Sequence, residues 1–360
     1  REDARALNLA VFNGEPRVLV SAHIDRWLLG AADDAVGVAL VLAIAKRLRD
    51  QKGVGFAFFG AEEYGAPHFN PWYWAWGSRL FVKRLSSTGE LERLLAVINL
   101  DVAVRRPLTV SASGPEFREA AREILGGSAE YDLDSPYFDS FSFSSAGVAA
   151  LTIHSLWRYV ELYHTDHDSL ESVDWQAVEQ AGIMAFRVAD ELARRGARTF
   201  KYDAWKSELL QRLERASEIQ EPPARLTELV RCIDVDEPFA RRLRRCAIKA
   251  VRDGEWYEAG ILHTYAFPEL LIVDDWGLID RVNRGEVEAA ALGKLRRRWV
   301  VGEVRELPSI PAGYIAPHAL KGNHLKSYLA LIKPIARAWL ELVYARLIDQ
   351  LEELSRGRVF

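Results

Sequence analysis

Apolar and polar positions recur along this chain with two different periods, and the change of period divides it. In the first half, short apolar runs alternate with longer amphipathic stretches. Leu7–Phe12 and Arg17–Ser21 read as strands, joined by a hairpin-like turn at Asn13-Gly14-Glu15-Pro16. Val54–Gly60, Leu95–Leu100, Leu108–Ser111 and Val148–His154 read as further strands, apolar at almost every position, as a strand covered on both faces must be. Asp34–Arg49, Gly77–Leu85, Pro115–Leu125 and Trp175–Arg195 carry the helical period. The basic last turn of the first of these suits the negative end of the helix dipole. Strands alternating with helices of this length predict an α/β fold, a mostly parallel mixed sheet sandwiched by helices.

After Gly196 helical patterns dominate, punctuated by Glu221-Pro222-Pro223, Pro238, Gly254, Pro268 and Pro308 to Pro317. The boundary is placed there, giving an α/β domain of residues 1–196 and a helix-rich region of residues 197–360. The final helix, about Lys326 to Leu354, has an apolar stripe around Leu329, Ile332, Trp339 and Leu347, and Pro334 is expected to kink it or cap a new start. Trp256, Tyr257, Trp276, Trp299 and Trp339 would be costly to expose together. They predict that this region covers a rim of the first domain or makes a homodimer contact.

Composition narrows the classes. The formal net charge is −4, so no global basic field favours nucleic acid. The basic runs Arg241–Arg245 and Arg296–Arg298 sit among apolar neighbours and read as solvated faces. No run approaches the ~20 apolar residues of a membrane span. No signal-peptide pattern precedes the first strand, from which a cytoplasmic location is expected. Cys232 and Cys246 are the only cysteines, which excludes a disulfide scaffold and a thiolate-rich metal site. One Met, few Asn and Gln, and abundant Arg, Glu and Leu fit a heat-adapted source.

The candidate chemistry lies where the strands end. His23 and Asp25 close the second strand, and Asp33-Asp34 open the first long helix. Glu62-Glu63 follow the strand Val54–Gly60, Asp101 ends the run Val97–Leu100, and His164 follows Val148–His154. In an open α/β sheet, groups at the carboxyl ends of the strands converge on one crevice. Singly, each has a bland reading: Asp-Asp before a helix is usually a cap, a lone His usually structural. Gathered beside an apolar sheet, however, unpaired carboxylates are costly unless a cation neutralises them. Two imidazoles with three carboxylates suit zinc or a similar divalent ion better than calcium.

The ordered set His23-x-Asp25, Gly30-Ala31-x-Asp33-Asp34-x-x-Gly37, Glu62-Glu63, Leu100-Asp101 and Tyr163-His164-Thr165-x-x-Asp168 resembles the co-catalytic di-zinc exopeptidases. That superfamily includes bacterial leucine aminopeptidases, glutamate carboxypeptidase II and, as a single-zinc branch, glutaminyl cyclase. The resemblance covers roughly residues 7 to 195. It implies that Asp33 bridges two zinc ions, with a cis peptide to Asp34. His23 and Asp101 would complete one metal's protein ligands, Glu63 and His164 the other's. Glu62 would be the general base, Asp25 would orient the His23 ring, and a hydroxide between the metals would hydrolyse the bond next to a free N-terminus. A peptide is thus the expected partner, without nucleic acid or membrane.

Two departures stand out. The Asp-His pair common before the family's last strand is here Asp139-Ser140, so the His is lost. Pro67 to Trp76 forms an aromatic-rich insertion, readable as packing for the C-terminal region or as an apolar pocket beside the metals. The runner-up reading is a glutaminyl cyclase-like single-zinc acyl transferase, which Asp34 counters because cyclases tend to have Ser there. A carboxypeptidase would need Arg at the site, for which Arg26 and Arg158 are the candidates, and a metal-free scaffold would not keep all five ligand positions.

Overall fold

The computed structural model describes residues 5–15, 17–63, 74–135, 137–252, 277–278, 280–282, 284–288 and 323–356. Residues Arg1–Tyr202 form one compact unit and Asp203–Phe360 a second.

The first unit is built on a seven-stranded sheet: β1 (Leu9–Phe12), β2 (Val18–His23), β3 (Val54–Phe59), β4 (Ala96–Leu100), β5 (Thr109–Ala112), β6 (Glu130–Leu133) and β7 (Ala149–His154). Their spatial order is β1-β3-β2-β4-β7-β5-β6. Only β1 on β3 and β5 on β7 are antiparallel, so the mostly parallel sheet expected from the sequence forms.

Among the described residues, six α-helices accompany the sheet: α1 (Val36–Leu48), α2 (Trp76–Thr88), α3 (Pro115–Leu125), α4 (Asp139–Ser145), α5 (Leu156–Tyr159) and α6 (Trp175–Arg195). One face of the sheet presents Val18, Val20, Ile98 and Leu151 to α1, α3 and α6. The other presents Leu19, Phe59, Val97 and Ala150 to Phe81 of α2 and Phe143 of α4. α6 turns Ala177, Ala181, Ala185 and Ala189 inward, small side chains that let its backbone come close to the sheet. Asp174 caps it, accepting from the Gln176 and Ala177 amides, and Gly196 ends it.

The expected hairpin between the first two strands does not form. β2 is buried at all six positions and takes parallel partners on both sides, β3 and β4, as such a strand requires. β1 is exposed throughout and accepts the sheet edge beyond β3. The connecting turn therefore steps over the start of β3: the Gly53 amide donates to Asn13 O at 3.0 Å and the Arg17 amide to Gly53 O at 2.8 Å.

The second unit is helical: α7 (Asp203–Ser217), α8 (Ala224–Cys232), α9 (Glu237–Arg252) and α10 (Asn323–Ser355). α7 buries Trp205, Leu209, Leu213 and Ala216 at helical spacing, and α10 packs on α8 and α9 through such residues as Val343, Leu347 and Leu351. Pro334 lies inside α10, which continues through it, so no new helix starts there. Trp256, Tyr257, Trp276 and Trp299, the side chain of Trp339, and residues 67–73 of the aromatic insertion lie outside the described residues. No described helix is long and apolar enough to cross a membrane.

Candidate metal centre

Because β2, β3, β4 and β7 run parallel, the segments that follow them emerge at the same sheet edge. His23 is the last residue of β2, Asp101 follows β4, Glu62 and Glu63 follow β3, and His164 lies on the chain leaving β7. All five residues expected to ligate metal meet there. His23 Nε2 lies 3.0 Å from Asp33 Oδ1 and 3.9 Å from Asp101 Oδ1. His164 Nε2 lies 2.7 Å from Glu63 Oε2 and 3.2 Å from Asp33 Oδ2. Among the described residues, His23–Asp33–Asp101 and Asp33–Glu63–His164 form two donor groups that share Asp33.

The donors fit a cation better than one another. Asp33 Oδ2, Glu62 Oε1, both Glu63 oxygens and His164 Nε2 are buried without a hydrogen bond, close as several of them are. A buried carboxylate without a donor is among the most expensive groups in a folded chain. Here such groups converge with two imidazoles, the donor types that zinc prefers.

The backbone around them is held from several directions. Gly30 has φ 59°, and a Cβ there would meet Arg26 Cβ at 2.5 Å and Asp33 O at 2.7 Å, so only glycine fits. A wide turn, Ala31–Ala35, then delivers Asp33, and the Asp33–Asp34 peptide is cis. The buried Asp168 carboxylate fixes this turn by accepting from the Ala32 amide at 2.7 Å, the Asp33 amide at 3.2 Å and the Tyr159 hydroxyl at 2.9 Å. Within the turn, Asp34 Oδ1 accepts from the Gly37 amide at 3.1 Å. Asp168 was visible at the end of the His164 motif, but its task was not.

Asp25 lies against the His23 ring, where the sequence expects it, and reaches further. Its backbone carbonyl, 3.0 Å from His23 Nδ1, anchors the ring, while its carboxylate stands 3.7 Å off. That carboxylate also accepts from the Glu62 and Glu63 amides, both at 3.1 Å. One residue thus sets the imidazole and both glutamates.

All five described non-glycine residues with positive φ lie in the connections around this edge: Leu28, Ala61, Ala75, Val102 and His164 itself. Such conformations cost about 1–3 kcal/mol each and persist where the surroundings over-determine them. Val102, β-branched and at φ 45°, is the most unusual; its carbonyl accepts from the Ser155 hydroxyl at 2.6 Å and amide at 2.9 Å.

The profile of Peptidase family M28 matches residues 9–189. The chain belongs to that family. It is 28% identical over 207 residues to Aminopeptidase YwaD of Bacillus subtilis, covering 49% of this chain and 41% of that one. With Aminopeptidase NAALADL1 of Mus musculus it shares 32% identity over 106 residues, 27% of this chain and 13% of that one. The chain therefore spans less than half the length of these curated relatives. Among solved structures, a zinc aminopeptidase from Bacillus subtilis is 25% identical with a TM-score of 0.41, covering 49% of this chain and 46% of that one.

In this M28 chain the electrostatics follow from crowding. Burial, with neighbouring carboxylates adding to it, holds Glu62, Asp34 and Asp101 well above the ordinary carboxylate range. Burial raises Glu63 to about 7 and Asp139 to about 6. Burial alone would lower both histidines. The surrounding acids outweigh it, raising His23 and bringing His164 to about 9. Asp33, facing both imidazoles, moves the other way despite its burial.

Asp139, which keeps its place in the M28 chain while the following His is lost, is buried in the first turn of α4 with neither oxygen hydrogen-bonded. Neither arginine weighed for a substrate carboxylate is aimed at the site. Arg26 donates to Leu29 O, and Arg158 donates to both Glu130 oxygens at 2.7 Å. Of the other histidines, His154 is a core residue 2.8 Å from Ser111 Oγ, and His167 is exposed beside Asp166. His68, His263 and His318 lie outside the described residues, as does the His324 side chain.

Proposed function

We propose that this chain is a zinc-dependent aminopeptidase holding two metal ions. The observation that carries the reading is the pair of donor groups sharing Asp33, with buried carboxylate oxygens left without hydrogen bonds. Asp33 would bridge, His23 and Asp101 would hold one ion, and Glu63 and His164 the other. Metal ions held there acidify water to a near-neutral pKa and polarise a carbonyl oxygen.

The remaining work falls to the chain. Glu62, buried beside the donors and raised in pKa, would take a proton and return it to the leaving amine. Asp25 positions Glu62 through its amide, and Asp168 holds the turn that presents Asp33. The crowd of carboxylates favours a cationic α-amine over a C-terminal carboxylate, and Arg26 and Arg158 are engaged elsewhere. This supports an aminopeptidase over a carboxypeptidase.

A panel of aminoacyl anilides, free and N-acetylated, tests the reading. Cleavage of the free-amine forms alone is expected. Cleavage of the acetylated forms as well would contradict it. Release of pyroglutamate from peptides beginning with Gln, with one zinc per chain, would support the cyclase alternative instead.

A further inference from the structure

We infer that the outer edge of β1 is a dimer interface. Two copies of this chain pair β1 with β1, antiparallel about a twofold axis at Ala10, and so join their sheets into one.

The two edges of the sheet differ. At one end β6 carries Glu130 and Asp132 among its four residues, charges that discourage a further strand from pairing. At the other end β1 reads Leu9-Ala10-Val11-Phe12, exposed throughout and without charge, proline or bulge. Leu7, Leu9 and Val11, alternate residues on one face, are 70%, 55% and 67% exposed. An open apolar edge of this kind is a template for another strand.

The register identifies which strand fits. Leu9 and Val11 lie opposite Phe58 and Phe56, and in the same alternation the Asn13 amide donates to Val54 O at 3.5 Å. On the far side of β3 the Phe59 carbonyl accepts from the Ile24 amide, which leaves Phe58 and Phe56 facing β1. The main chain of Leu9, Val11 and Asn13 therefore faces inward. Neighbouring residues turn their N–H and C=O the other way, so Asn8, Ala10 and Phe12 present theirs outward. Setting Ala10 against Ala10 of the partner subunit also sets Asn8 against Phe12 of the partner subunit, and the reverse. Every outward group of the strand then has a partner.

The side chains agree with that register. Leu9 falls opposite Val11 of the partner subunit, at the positions where antiparallel side chains come closest, so the apolar stripe covers itself. Arg5, ahead of the strand, is brought towards Glu15 of the partner subunit beyond it, once on each side of the axis. Both residues are exposed, and Glu15 meets Arg93 within its own chain at 2.6 Å. A twofold contact requires one surface to complement itself, and this edge does so in hydrogen bonding, apolar contact and charge. These three agreements favour a second copy over an extended peptide of another protein.

The test is sedimentation equilibrium of the full chain over a wide concentration range, with circular dichroism as the check on folding. A monomer–dimer equilibrium is expected. Ala10→Pro removes an outward N–H at the axis and no bond to β3, so it should raise the dimer Kd at least about tenfold with an unchanged spectrum. Arg5→Glu and Glu15→Arg should each weaken the dimer. Combining them should restore it, a recovery that a contact elsewhere on the molecule would not give. If Ala10→Pro fails to fold, the charge variants decide in its place.

A wild-type chain that stays monomeric at the highest concentration would overturn the proposal and leave the edge to a peptide of another protein. A dimer indifferent to a folded Ala10→Pro, or as weak in the double charge variant as in the single ones, would also overturn it and move the contact to another surface.

Discussion

Two buried aspartates five residues apart, Asp134 and Asp139, occupy opposite electrostatic situations. Asp134 accepts from the Ser140 hydroxyl at 2.5 Å, the Ser144 hydroxyl at 2.6 Å and the Ser135 amide at 2.8 Å. Through Ser140 it joins a hydrogen-bonded chain running along Thr152, Asn99 and Ser21, across β7, β4 and β2. Asp139 is equally buried, and neither of its oxygens completes a hydrogen bond, although the Ser78 hydroxyl and Arg79 stand near enough to favour its charge. A buried acid with its donors in place is structure, because its charge is already stabilised by oriented O–H and N–H dipoles. A buried acid without them is unfinished, and several together ask for cations. That contrast, rather than burial or acidity alone, marks where the chemistry sits.

The largest effect should come from Glu62→Gln, which keeps the side chain's shape and, on the proposed mechanism, removes the proton acceptor while leaving the metal ligands in place. kcat is expected to fall about 10²–10⁴-fold with little change in KM, measured by steady-state kinetics with zinc content as control. Loss of metal in this variant would move Glu62 into the ligand set.

Asp134→Ala should come next, lowering the unfolding free energy by about 1–3 kcal/mol for each donor left buried and unpaired. Zinc content should not change. Denaturant titration checks this, and zinc loss without destabilisation would break the comparison.

The mirror-image substitution, Asp139→Asn, should stabilise the metal-free protein above pH 6. Burial raises that carboxyl from 3.8 to about 6, so its ionisation opposes folding, and removing the charge should gain about 1–3 kcal/mol. A loss of stability would show that Asp139 has a partner after all.

The smallest effect expected is a pH dependence of the chelated protein. Acids whose pKa is raised on folding oppose folding once pH passes their unfolded value, so Glu63 and Asp139 make stability fall between about pH 4 and 7. His164, raised to about 9, contributes stability below 6.5 that is lost as pH climbs through 9, in the same direction. Zinc acts oppositely, because protons compete with it for the same ligands. Melting temperatures with and without chelator should nearly coincide at pH 4.5 and diverge by pH 8. A gap as wide at pH 4.5 would contradict the ligand set.

The sequence disclosed what depends on local pattern. β2, β3, β4 and β7 are continuous apolar runs, and α3 and α6 fall between a Pro or capped start and a Gly stop, so their existence and order were readable. The convergence of His23, Asp33, Glu63, Asp101 and His164 followed from parallel strands ending at one edge. What stayed hidden depends on pairing. β6 alternates Glu130 and Asp132 with Tyr131 and Leu133 on a short edge strand, and α4 is a Ser/Phe stretch with no clear period. The partner of β1 is not legible in the sequence, because strand-turn-strand spacing looks the same whether the second strand pairs with the first or lies one strand away. The place of Asp25 beside the His23 ring is readable from its spacing, but only the folded backbone shows its carboxylate also accepting from the Glu62 and Glu63 amides.

The central claim is that two donor groups sharing Asp33 bind two ions, and metal content tests it most directly. Zinc-saturated, extensively dialysed protein should retain about two zinc ions per chain by plasma mass spectrometry, the number a bridged site requires. Glu63→Ala, which removes a donor from one group alone, should retain about one while keeping its fold by circular dichroism. A wild-type content of one ion or none, or Glu63→Ala retaining as much zinc as wild type, would contradict the account.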